Sequence, residues 1–114
     1  MDNTNFLDVK VHRGAHSAVI FEVVGVLDLA FSDQLRKALI PAVHNGTVVL
    51  DASKVTFCDS SGLRVLLEAN RDARTHGAVF RVASASQPVM RVFALTGADN
   101  FLDVFPDVEA ALVD

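Results

Sequence analysis

Four kinds of side chain in this sequence could do chemistry: one cysteine, four histidines, scattered carboxylates, and the paired serines of Asp59-Ser60-Ser61-Gly62-Leu63. A thiolate nucleophile needs a base beside it. Cys58 has none nearby in sequence, and the charge of Asp59 favours the neutral thiol. Cys58 therefore reads as a small buried hydrophobe. A single cysteine also excludes an internal disulfide and a multi-cysteine metal site, and it fits a reducing compartment. His12, His16, His44 and His76 fall at turns or element ends. Only His12 and His16 are four apart, and they span a strand end and a turn rather than one helix face, so all four read as solvent-exposed turn residues. The sequence contains neither a Gly-x-Ser-x-Gly elbow nor a phosphate-cradling glycine loop. No catalytic residue, metal or cofactor is expected, and the chain reads as a non-enzyme.

The serines remain. Asp and Ser are preferred helix N-caps because their side-chain oxygens accept the orphan amides of the first turn. On that basis alone Asp59-Ser60-Ser61 is a helix cap. Gly62 fits the cap less well, since glycine in a first turn costs about 0.5–1 kcal/mol of helix propensity. Close approach of a partner backbone would be a reason to keep it.

Presenting such a cap requires a helix that starts where a strand stops. Leu7–His12 alternates apolar and polar residues as a half-buried strand does. Arg13-Gly14-Ala15-His16 makes a turn, and Ser17–Val24 pairs back as a hairpin. After Gly25-Val26-Leu27-Asp28 the period becomes helical, with Phe31, Leu35, Ala38, Leu39, Ala42 and Val43 on one side. Asn45-Gly46 stops that helix. Thr47–Leu50 is a short apolar run suited to a central strand covered on both faces. From its end, Asp51–Asp59 leads to a second helix starting near Ser60 and closed by Gly77. Ala78–Ala83 is a further strand. Ser86 caps a third helix with Pro88 in its first turn, and Gly97 ends it. Phe101–Phe105 is a short edge strand, and Asp107–Val113 a last helical turn or two. The fold class is α/β: a mixed four- to five-stranded sheet with helices packed on it.

A chain of 114 residues has room for one domain, residues 1–114. With 51% hydrophobic and 21% charged residues it is globular rather than disordered. The formal net charge is −4, and no basic run exceeds Arg36-Lys37. Nucleic acid is therefore not an expected partner, whereas a basic patch on another protein is compatible. No apolar run approaches the roughly 18–20 residues needed to cross a bilayer. Met1–Asn5 lacks the basic start of a signal peptide, so a cytoplasmic location is expected. The chain is expected to be a monomer or a weak dimer.

Several segments in order resemble the bacterial anti-sigma factor antagonists, the STAS domain family. They are Gly25-Val26-Leu27-Asp28, Val48-Val49-Leu50-Asp51, Val55-Thr56-Phe57-Cys58-Asp59-Ser60-Ser61-Gly62-Leu63, Gly77 and Val92-Phe93-Ala94-Leu95-Thr96-Gly97. The resemblance runs from about Leu7 to the C-terminus. It implies a partner switch: the unphosphorylated antagonist binds an anti-sigma factor serine kinase and so frees a sigma factor. Phosphorylation ends that binding, and a serine phosphatase restores it. The acceptor is the first serine after the motif aspartate, here Ser60, with Ser61 as the alternative. Asp28, Asp59, Ser60, Ser61, Gly62, Leu63 and Arg64 would line the docking surface. The resemblance also admits a STAS scaffold or regulatory subunit of a lipid-transport or stress-signalling complex, without phosphorylation switching.

Overall fold

In the computed structural model, which describes residues 5–113, an antiparallel hairpin opens the fold. Its strands are β1 (Leu7–Arg13) and β2 (Val19–Leu27), joined through a 3-10 turn at Ala15–Ser17. Residues 1–4, most of the stretch read as lacking a leader, lie outside the described residues. Three strand–helix units follow: α1 (Ser32–Ala42) leads to β3 (Thr47–Cys58), α2 (Ser60–Thr75) to β4 (Val79–Ala83), and α3 (Gln87–Thr96) to β5 (Asp103–Phe105). The short α4 (Val108–Ala111) comes last.

The five strands stand in chain order, and every pair after the hairpin is parallel. Crossovers between neighbouring parallel strands are right-handed, so steps in one direction put their helices on one face. The core confirms this. Leu35 and Leu39 of α1, Leu66 and Ala69 of α2, and Val89 and Phe93 of α3 share one cluster with Phe21, Val23, Val48, Leu50 and Val82 of the sheet. The opposite face is closed over only part of its width, where Ala111, Val108 and Leu112 pack on Ile20, Val49 and Ala83. Covered on both faces, Val48, Val49 and Leu50 are fully buried.

The expected elements are present with different boundaries. β2 runs on to Leu27, and β3 continues past Leu50 to Cys58. From Glu22 to Val24 in β2, β3 advances from Asp51 to Lys54. From Gly25 to Val26 it advances from Val55 to Phe57. Each mismatch adds one residue to β3, which makes two bulges. The first helix ends just after Pro41, with Val43 as its C-cap, so Gly46 does not stop it. Instead Gly46, at φ +75°, turns the chain into β3, and its carbonyl accepts the Val79 amide. Ser86 holds the N-cap position of α3 without a side-chain cap bond. Its hydroxyl is buried and unpartnered, while its amide bonds to the Ala52 carbonyl.

Candidate functional site: the corner between β3 and α2

The end of β2 builds this corner. The Leu27 carbonyl accepts the Asp59 amide at 3.1 Å, tying the residue before α2 to the neighbouring strand. Asp59 is the N-cap: its Oδ1 accepts the Ser61 amide at 2.8 Å and the Gly62 amide at 3.3 Å. Its own carbonyl accepts the Leu63 amide at 3.1 Å. Two of the orphan donors of the first turn are thereby satisfied by one carboxylate. The backbone that Gly62 approaches is the chain's own. A Cβ there would lie 2.8 Å from the Leu27 carbonyl oxygen and 3.2 Å from the Cys58 Sγ.

The corner sorts the expected site residues into two layers. Ser60 and Arg64 are exposed, and Asp59 and Ser61 are half-buried. Gly62 and Leu63 are buried and form the floor that holds the others in place. Cys58 lies in the same floor. Burial, and secondarily the charge of Asp59, push its thiol up to about 11, so at neutral pH it is a protonated, packed side chain.

Asp28 stands beside this corner at the end of β2. Its Oδ1 accepts the Ala30 and Phe31 amides at 2.9 and 3.1 Å, and its carbonyl accepts the Ser32 amide. The carboxylate thus shapes the loop into α1. That loop holds up Leu29, which is 78% exposed, and Phe57 near the end of β3 is 50% exposed. Both apolar side chains lie close in the chain to Asp28 and Ser60. Sequence reading did not single them out. The available signals were that Leu29 falls outside the apolar stripe of α1, and that Phe57 sits between inward Val55 and Cys58. A cleft of about 170 Å³ between α1 and α2 brings Leu29, Arg36, Ser61, Arg64 and Glu68 to one place. Arg36 is engaged there, 2.7 Å from Asp33 and 4.0 Å from Glu68.

The opposite end of α2 holds a different cluster. His44 and His76, expected as separate turn residues, stack with ring centroids 3.9 Å apart. His76 Nδ1 lies 2.8 Å from the Asp72 carbonyl, and His44 Nε2 lies 3.5 Å from Asp72 Oδ2. Among the described residues, no group of three or more His, Cys, Asp or Glu is placed to hold a metal ion. Nor is any helix among them long and apolar enough to cross a membrane.

A family model described as "Mlab, STAS domain" matches residues 11–106. The chain is similar to an anti-sigma F factor antagonist of Paenibacillus polymyxa, 26% identical over 111 residues, covering 95% of this chain and 92% of that one. In structure it is similar to an anti-sigma factor antagonist from Mycobacterium paratuberculosis, with TM-score 0.84 and 24% identity, covering 98% of this chain and 96% of that one. It is also similar to the Bacillus cell fate determinant SpoIIAA in its phosphorylated form, with TM-score 0.69 and 20% identity, covering 90% and 96%.

Proposed function

The chain belongs to the STAS domain family, and on that premise we propose that it is an anti-sigma factor antagonist switched by phosphorylation at Ser60. Unphosphorylated, it binds an anti-sigma factor serine kinase in the cytoplasm and so frees a sigma factor. Phosphorylated, it lets go until a serine phosphatase acts. The protein itself is a binding module, not a catalyst. The observation that carries this reading is the placement of Ser60. It is exposed at the first position of α2, directly after a capping aspartate, whereas Ser61 is half-buried in the α1–α2 cleft. Leu29, Asp28 and Phe57 supply the surrounding surface. That a relative named as an antagonist covers 95% of this chain supports the same role, and SpoIIAA is a protein of this fold in a phosphorylated form.

The switch is electrostatic. A phosphate adds about −1.5 to −2 charges. In the isolated domain it meets a helix N-terminus that favours anions by about 0.3–1 kcal/mol. Repulsion from Asp59 across roughly 6 Å of water is also about 1 kcal/mol, so the fold tolerates the modification. In a docked interface the effective dielectric falls, and the same repulsion grows to several kcal/mol, or two or more orders of magnitude in affinity.

The test pairs wild type and Ser60→Asp with the kinase-like anti-sigma factor of the same genome in calorimetry. Binding of the variant is expected to be weaker by about 100-fold or more, with Tm changed by no more than about 4 °C. Equal affinities, or loss of the cooperative thermal transition, would sink the switch. Mass spectrometry after incubation with that kinase should find phosphate on Ser60, and phosphate on Ser61 alone would reassign the acceptor. The second reading that membership of the STAS family leaves open is a scaffold or regulatory subunit of a lipid-transport or stress-signalling complex. On that reading Ser60 is never phosphorylated and Ser60→Asp leaves assembly unchanged.

A further inference from the structure

Arg64 lies one helical turn beyond Ser60. Residues four apart on a helix share a face and reach each other, and both side chains are exposed. Arg64 also lines the α1–α2 cleft with Ser61, Arg36 and Glu68. The other cation of that cleft is already committed, since Arg36 pairs with Asp33 and reaches Glu68. Among the described residues, Arg64 makes no ion pair. An unpaired guanidinium is thus held one turn from the hydroxyl that the proposed switch modifies. Its planar fork suits two phosphate oxygens at once.

Resting on the reading of Ser60 as the phosphoacceptor, we propose that Arg64 is the internal counter-ion of the Ser60 phosphate. In the unphosphorylated protein Arg64 is free to meet an acidic group on the partner. Phosphorylation turns it back along α2 onto the phosphate. The partner then faces both an added negative charge and a cation that has been withdrawn. Arg64 acts here as a positioning residue for the phosphate and forms no covalent bond.

The test does not depend on any kinase. Phosphoserine is incorporated at position 60 of the full chain by genetic code expansion, in wild type, Arg64→Gln and Arg64→Lys. The second ionisation of the phosphate, ordinarily near pH 6, is then followed by phosphorus NMR. The expected result is a pKa lower in wild type than in Arg64→Gln by roughly 0.2–0.7 unit, the range an exposed ion pair supports. Arg64→Lys should keep part of the shift, and all of it should shrink with added salt. Identical pKa values in the three proteins would overturn the pairing. A larger Arg64-dependent shift with phosphoserine at 61 would also overturn it. Failure of a kinase to phosphorylate Ser60 would remove the switch but leave this titration unchanged, so the two ideas fail separately.

Discussion

A Cβ on Gly62 would sit 2.9 Å from the Leu27 Cβ and 2.8 Å from its carbonyl oxygen, so Gly62→Ala forces α2 away from the end of β2. Backbone cannot yield as a flexible side-chain tip does. We expect a loss of about 1–3 kcal/mol, read as a lower urea midpoint at unchanged slope. Cys58 responds to pH rather than to size. Its thiol ionises near 11 when folded, against 9.0 ordinarily. The folded state therefore binds the proton more tightly, and the resulting stability is complete below about pH 9 and lost as pH rises through 11. Up to about 2–3 kcal/mol is at stake. Denaturation at pH 8 and at pH 10.5 should show the fall, and Cys58→Ala should lack it. At this scale the sequence exposed local chemistry well. The Asp59 cap and the inert thiol follow from near neighbours in the chain. The exposure of Leu29 and Phe57 does not, because it depends on which distant residues fail to cover them.

At the scale of elements, β3 shows why a boundary could not be read. Leu50, Ala52, Val55 and Cys58 all belong to the helix-side core. Two bulges stretch their spacing from two residues to three, so the alternation that marks a strand disappears after Ala52. An expectation that stopped the strand at Leu50 was reading a periodicity that the bulges had erased. The helices were easier, because α1 and α2 keep an unbroken apolar stripe over three or more turns. Gly25 is the matching case on β2. Its φ of +112° and the Phe6 carbonyl, which a Cβ would overlap, both demand glycine. The Val26 amide bonds to that same Phe6 carbonyl at 2.8 Å. Gly25→Ala is expected to cost about 1–3 kcal/mol, with chemical-shift changes concentrated in β1 and the start of the hairpin ladder.

For the molecule as a whole, the α/β class was legible from the change between strand and helix periods. The order of strands was not, apart from the first hairpin, because neighbours in a parallel sheet are chosen by tertiary packing. The one-sided arrangement of α1, α2 and α3 follows once that order is known. It also explains the uneven surface: Val24 and Glu22 of β2 remain half-buried, and Lys54 reaches Glu22 at 3.3 Å on the part of the sheet that α4 does not cover. Strand order that equals chain order has a consequence for synthesis on the ribosome. Each strand, as it emerges, finds its neighbour already made, and none has to be inserted between two that have closed. The hairpin can form first, β3 can join its free edge, and α2 can settle behind it. The β2, β3 and α2 segments that build the Ser60 corner are therefore all available by Thr75, before the last two strands have left the exit tunnel.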